Sequence, residues 1–277
     1  MEEPRAEETR PEEPGQTAPY RCKYCGGSLD LRYHFCVHCA VTYRAPDENV
    51  YGKGPPFVRS LEWRISTEGR AAVNLFCILA MGLICLAGLR YAMGKEQLGL
   101  SLILTDLFVA ALTIGFAASN WRSIAHLFGG VRVNSALALS LPILAILLCV
   151  NKGYHDFLSS ILGIKKEDTE IGEILGSLDP AILFVTICVF PAIFEEIGFR
   201  GLVQEKMVLA AGPVLGFAAT SVLFVALHSS ILSAPYLFLL AWFLSWVRAR
   251  TGSLYPPMLL HFVHNFVVVV VFYGVRP

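Results

Sequence analysis

Apolar and polar positions divide the chain into a polar N-terminal part and a succession of apolar runs separated by short polar breaks. Most of the runs have the roughly twenty residues that a helix needs to cross a bilayer. They fall at 72–92, 98–118, 135–151, 180–207, 213–230, 232–247 and 256–274. The pattern predicts an all-α polytopic membrane bundle of about 7 to 8 transmembrane helices. The segment 154–175, between the third and fourth runs, is either a loop or an interfacial amphipathic helix.

The composition of the chain also indicates a membrane protein. Hydrophobic residues make up 55% of the chain and the mean hydropathy is +0.57, which is too apolar for a water-soluble domain. The 22 basic and 22 acidic side chains balance, which argues against a nucleic-acid partner bound through its phosphates. Lys and Arg are more frequent on the side of the N-terminus, which predicts that this end is cytoplasmic.

The part before the apolar runs divides into three segments. Residues 1–19 are acidic and rich in proline, which predicts a disordered tail. Residues 20–44 are predicted to form a small zinc ribbon, and residues 45–70 a linker to the membrane domain at 71–277.

Four cysteines carry the zinc prediction, with the spacing C-x2-C-x10-C-x2-C. They are Cys22, Cys25, Cys36 and Cys39. Two such pairs on tight turns can close a tetrahedron of thiolates around a structural zinc ion, and His34 and His38 are alternative ligands. Two disulfides are the competing interpretation, but the reducing cytoplasm disfavours them.

Three ionisable side chains lie inside the fourth apolar run, in the stretch IFEEIGFRG at 193–201. Charged groups at membrane depth usually face a protein interior or a cavity, and they usually pair with one another. Glu196 and Arg200 are four residues apart and share a helical face, which favours an ion pair. Glu195 is rotated by roughly 100° from that face and is predicted to remain available as a general base. The competing interpretation is an ordinary ion pair at a helix end.

Two later apolar runs also carry polar groups. LFVALHSS places Phe224 and His228 four residues apart, and PMLLHFVHNF places His261 and Asn265 at the same spacing. A single histidine in a membrane helix is usually a packing contact. Three helices that each carry polar groups instead supply a base, its partner and two hydrogen-bond donors, which are the parts needed for amide hydrolysis by activated water.

The three motifs EEIGFR, FVALH and HFVHN, in this order on successive apolar runs, resemble those of the CPBP family. This family contains the CAAX prenyl endopeptidases and their bacterial relatives, also called Abi proteins. The resemblance covers roughly 180–270, and the ribbon lies outside it. It implies an intramembrane endopeptidase that cleaves a peptide or protein substrate, membrane-associated or lipidated, among membrane lipids. The combination of ribbon and bundle predicts a bacterial plasma membrane protein.

The resemblance also implies roles for residues. Glu195 would activate the attacking water together with His228, while His261 and Asn265 would form the oxyanion hole. Glu196 and Arg200 would support the site, and Phe224 would shape its cavity. These implied roles leave His264 and Asp106 without a function: His264 is an additional histidine beside the third motif, and Asp106 is interpreted as a loop edge or a satisfied polar group.

A comparison of depths is only partly consistent with one site. At 1.5 Å per residue, Glu195 and His228 lie roughly 18 and 22 Å from the turn that joins their runs. His261 lies only about 8 Å into the last run from the same side. Either that helix begins further inside the protein, or it is tilted and the boundaries differ.

The sequence does not decide whether the reaction uses a metal ion. The zinc motif H-E-x-x-H is absent, although Glu195, His228 and His261 have side chains that can ligate zinc. A mechanism without metal is favoured because Asn265 is a better hydrogen-bond donor than zinc ligand.

Two other classes of function compete with the endopeptidase. The first is a non-catalytic membrane scaffold or sensor that uses the zinc ribbon for recognition. The second is a transporter, which the lack of a convincing internal repeat disfavours.

Overall fold

The computed structural model describes residues 21–22, 28, 36, 69–93, 97–163, 179–228, 230–272 and 274. Within these residues the regular elements are helices. The longer ones are α1 (Arg70–Met93), α2 (Leu98–Ser119), α3 (Ser135–Leu162), α4 (Pro180–Ala211), α5 (Pro213–Leu227), α6 (Ala234–Thr251) and α7 (Tyr255–Val267). Short helical turns at Trp121–Ile124 and Ala125–Phe128 connect α2 to α3, and a π-helical turn at Val268–Phe272 extends α7.

Helices α1 to α4 are each long and apolar enough to cross a membrane, while α5 and α7 are apolar but shorter. The outer helices expose apolar side chains such as Met81, Ile84 and Ile146. Such surfaces suit contact with lipid, which solvates apolar groups but not unpaired backbone. The protein is therefore an integral membrane protein. The number of 7 to 8 transmembrane helices stays a prediction.

The third helix is longer than its sequence pattern predicts. It ends at Leu162 instead of 151, so the start of the segment 154–175 belongs to a continuous helix. Gly163 ends it with a φ of 67°, a left-handed conformation that glycine adopts without strain. The α6 helix likewise ends at Thr251 instead of 247.

Helix α6 lies at the centre of the bundle, and Leu240, Ala241 and Leu244 are at most 1% exposed. It packs against α3, α5 and α7. The helix is buried on most sides although it carries Arg248, whose guanidinium pairs with Glu205 of α4. Apolar residues on all sides of a helix are typical of such a buried position.

Helix α4 is wider than an α-helix through most of its length. Phe184–Val189 and Pro191–Val203 are π-helical, and Gln204–Ala211 is α-helical. Pro191 has no N–H group, so one carbonyl of the preceding turn lacks its usual backbone donor.

The turn before helix α7 is buried, and Thr251, Ser253 and Leu254 are 0% exposed. Leu254 N donates to Leu127 O at 2.9 Å, which joins this turn to the α2–α3 connection. His261 is 3% exposed, so it lies in the buried part of the bundle. Whether α7 starts further in or is tilted stays a prediction.

The N-terminal predictions fall largely outside the described residues. Cys22 and Cys36 are buried, and Arg21 and Ser28 form an isolated antiparallel bridge. Cys25 and Cys39 lie outside the described residues, as do the tail and nearly all of the linker. The zinc ribbon stays a prediction.

Candidate active site

A cavity of about 150 Å³ lies between α1, α2, α4 and the end of α5. Its polar lining consists of Thr105, Asp106, Thr113, Glu195 and His228. The remaining walls are mainly apolar, with Leu79 and Phe194 among them. The cavity brings together Glu195 and His228, which the motifs predicted to act on one water molecule.

Glu195 contributes a carboxylate oxygen to the cavity as a hydrogen-bond acceptor. Its Oε2 atom is buried and has no hydrogen-bond partner among the described residues. Buried carboxylate oxygens are normally hydrogen-bonded, so this one is suited to bind a water molecule or a substrate group. The prediction that Glu195 is left out of the neighbouring ion pair is consistent with this geometry.

His228 follows the last residue of α5 and closes that helix end. Its Nδ1 lies 2.8 Å from the carbonyl oxygen of Phe224, one of the carbonyls that a helix end leaves without a backbone donor. A carbonyl only accepts, so Nδ1 carries the proton and the neutral ring keeps its lone pair on Nε2. The exposed ring therefore presents an acceptor nitrogen at the cavity.

Glu196 forms the centre of a second, fully buried polar cluster. Its Oε1 accepts from Arg200 Nη1 at 2.8 Å, and both side chains are 0% exposed. The predicted ion pair is confirmed. His261 Nδ1 lies 2.8 Å from the same oxygen, so the third motif meets the first motif through Glu196. Arg200 Nη2 also donates to Ala241 O at 3.3 Å, which attaches the cluster to α6.

Phe224 connects the cavity to this cluster. It is 0% exposed, and its ring centroid lies 4.4 Å from that of His228 and 6.2 Å from that of His261. The guanidinium carbon of Arg200 lies 4.6 Å from the same ring, a cation–π distance. One aromatic ring thus fixes the relative positions of residues from all three motifs.

Asn265 is held by two hydrogen bonds. Its Nδ2 donates to Ile187 O at 2.8 Å. Its Oδ1 lies 2.8 Å from His264 Nδ1. Neither Asn265 nor His261 is among the residues that line the cavity of Glu195 and His228.

Asp106 lines the cavity although the sequence interpretation gave it no function. It lies in the middle of α2 and lines the same cavity as Glu195, and its Oδ2 is buried with no hydrogen-bond partner in the described part of the chain. It is not at a loop edge, and this oxygen has no partner among the described residues. The available signal was an isolated acid in an apolar run, which is costly at membrane depth and usually functional.

Among the described residues, no three His, Cys, Asp or Glu side chains are grouped closely enough to hold a metal ion. The mechanism without a catalytic metal stays a prediction.

The helices and the enclosed polar residues define an integral membrane protein with a polar site inside an apolar bundle. Residues 177–267 match the family described as Type II CAAX prenyl endopeptidase Rce1-like, a family of proteases. The match spans about one third of the chain and includes all residues of the three motifs. It supports the resemblance drawn from those motifs. No curated protein and no solved structure matches the chain.

Proposed function

We propose that the protein is an intramembrane endopeptidase that hydrolyses a peptide bond with water activated by Glu195 and His228. The observation that carries the proposal is their position on one cavity, where Glu195 presents an oxygen without a hydrogen-bond partner and His228 presents Nε2. The match to a protease family over the same segment supports it.

In the proposed reaction, a water molecule in the cavity gives a proton to the Glu195 and His228 pair as its oxygen attacks the scissile carbonyl carbon. The tetrahedral intermediate carries negative charge on the former carbonyl oxygen. The C–N bond then breaks, and the same pair returns the proton to the departing amine. The products are a carboxylic acid and an amine, which become a carboxylate and an ammonium group when the acid passes its proton to the amine, and no other reactant is consumed.

His261 and Asn265 are proposed to stabilise the oxyanion. Because the Nδ1 of His261 is taken by Glu196, its Nε2 is the atom left for a substrate. A donor at Nε2 requires the imidazolium form, whose charge lies beside the Glu196 carboxylate. Asn265 has one amide proton on Ile187 O and keeps the second proton of Nδ2 for a substrate oxygen. Substrate must then enter between the cavity and α7.

A second, mainly apolar cavity suggests that the substrate carries an apolar group. It measures about 390 Å³, lies between α2 and the start of α4, and shares Asp106 and Phe190 with the first cavity. The rest of its lining is almost entirely apolar, including Leu107 and Val185. We therefore propose a membrane-associated or lipidated peptide as substrate. A peptide with and without a covalently attached isoprenoid chain tests this, and equal kcat/KM for the two would reject the lipidated substrate.

The decisive experiment is cleavage of a quenched-fluorescent peptide library by purified protein in detergent. Glu195→Gln keeps the shape of the side chain but removes its basicity, so cleavage should fall by about 10²-fold or more. Asp156→Asn removes an exposed carboxylate on α3 and should leave cleavage unchanged. Equal cleavage by wild type and Glu195→Gln would reject the mechanism, and no cleavage by folded wild type would favour a scaffold.

The zinc ribbon is proposed as a separate, structural unit at 20–44. Burial of Cys22 and Cys36 supports a role inside a small fold, where a structural zinc ion replaces a hydrophobic core. Zinc content measured by mass spectrometry should be lost in Cys22→Ser. It should stay the same in Cys85→Ser, whose side chain is exposed on α1. Equal zinc in both variants would contradict the ribbon.

A further inference from the structure

His264 lies beside Asn265 on α7, at a position of the HFVHN stretch that the H-x-x-x-N pattern leaves unspecified. Its Nδ1 is 2.8 Å from Asn265 Oδ1, and Asn265 Nδ2 is 2.8 Å from Ile187 O. The Ile187 carbonyl can only accept, so the atom facing it must be the amide nitrogen. The amide oxygen therefore faces His264, and His264 Nδ1 must be the donor.

The imidazole ring of His264 is itself immobilised. The residue is 6% exposed, and the ring stacks on Tyr236 of α6 with a centroid distance of 5.6 Å and an interplanar angle of 23°. Tyr236 is 3% exposed and packs with Leu240 and Leu260 in the core between α3, α6 and α7. A donor on so rigid a support fixes the direction of the group that it bonds.

We propose that His264 is a positioning residue that sets the orientation of the Asn265 amide. With Oδ1 held by His264 and one proton of Nδ2 held by Ile187, the second amide proton has a single fixed direction. The proposed oxyanion hole requires such a preorganised donor. This inference rests on the proposed function for its catalytic consequence, but the orientation of the amide is a separate physical claim.

Loss of the His264 donor removes one of the two bonds that fix the amide. Asn265 Oδ1 is then a poorly exposed acceptor without a donor, which is costly and is relieved by rotation of the amide. Rotation moves the second amide proton away from its fixed direction. The expected defect is therefore in kcat and not in KM.

Two variants show which ring nitrogen of His264 is needed, because each keeps a side-chain amide near the place of one nitrogen only. In His264→Asn the side-chain nitrogen occupies the place of Nδ1 and can still donate to Asn265. In His264→Gln the nitrogen lies near the place of Nε2, too far along the side chain. Removal of one oxyanion donor typically lowers kcat by about 10²–10³-fold. We expect a loss of that order in His264→Gln and near-wild-type kcat in His264→Asn, with KM unchanged in both.

The Asn265→Ala variant tests whether His264 acts through Asn265. It should lose kcat by a similar factor, and adding His264→Gln to it should cause little further loss. Equal kcat in His264→Gln and wild type, while Glu195→Gln is inactive, would overturn the positioning role and leave the proposed function standing. The positioning role would also be overturned if the fold-loss of kcat in the double variant equalled the product of the fold-losses in Asn265→Ala and His264→Gln.

A measurement without cleavage keeps the two proposals distinguishable. The side-chain amide signal of Asn265, labelled with ¹⁵N and assigned by its loss in Asn265→Asp, reports the orientation directly by NMR. Two distinct, slowly exchanging protons are expected in wild type and His264→Asn, and averaged, faster-exchanging protons in His264→Gln. Identical signals in all three proteins would refute the inference whether or not any peptide is cleaved.

Discussion

The buried ion pair of Glu196 and Arg200 should tolerate the loss of both partners better than the loss of one. Both side chains are 0% exposed and are joined at 2.8 Å. Removing one partner of such a pair leaves a buried charge uncompensated and costs about 3–5 kcal/mol. Replacing both with apolar residues of similar size is often neutral or stabilising.

Two other contacts modify this expectation. Glu196 also bonds His261, so Glu196→Leu leaves a buried imidazole without its partner, at about 1–3 kcal/mol. Arg200→Met removes the contact with Phe224, which is worth about 0.5–2 kcal/mol. The double variant should thus remain less stable than wild type but more stable than either single variant, with a coupling energy of about 2 kcal/mol or more.

The free energy of unfolding can be measured by titrating purified protein in mixed micelles with denaturant while following tryptophan fluorescence. The pair of Lys152 and Asp156 on α3 is the matched control, since it has the same spacing but is about half exposed. Replacing either of its members should change stability by less than about 1 kcal/mol. The reasoning would be refuted if the unfolding free energy lost in the double variant equalled the sum of the two single losses to within about 0.5 kcal/mol.

Three further predictions test the packing and the cavity. Phe224→Ala should cost about 3–5 kcal/mol of unfolding free energy, because it empties the space between the three motifs, and an unchanged melting temperature would contradict this. Gly252→Ala should destabilise more than Gly163→Ala: both have left-handed φ angles, but only at Gly252 would the new methyl meet Arg132, at 2.6 Å. Equal losses at the two glycines would exclude that clash. Asp106→Asn should lower kcat of peptide cleavage with little change in melting temperature, since its oxygen faces the cavity, and wild-type kcat would remove Asp106 from the site.

The spacing of residues along the sequence was sufficient to predict the features that depend on a single helix. The apolar runs indicate the helices, and the four-residue separation of Glu196 and Arg200 predicts their pair because both residues share a face even in a widened helix. The ends of helices were less predictable. The α3 helix continues to Leu162 because the polar residues after 151 do not break a helix, although they end the apolar run.

Features that depend on how helices face each other were not predictable. Helix α2 is apolar around most of its circumference, so its sequence does not indicate whether Asp106 points to a cavity, a neighbour or lipid. The sequence placed His261 at a shallow position, yet its side chain is buried and bonds Glu196. The turn before α7 is buried against the α2–α3 connection, and sequence alone does not distinguish such a turn from a surface loop.

Backbone carbonyls orient two of the proposed catalytic side chains. The end of α5 leaves Phe224 O for His228, and this bond decides which ring nitrogen keeps its lone pair. Ile187 O of α4 accepts from Asn265, and this bond decides which end of the amide faces His264. Carbonyls in an apolar environment need donors, so each orientation also satisfies the backbone. The proposed site is therefore preorganised by hydrogen bonds between its side chains and the helices that carry them.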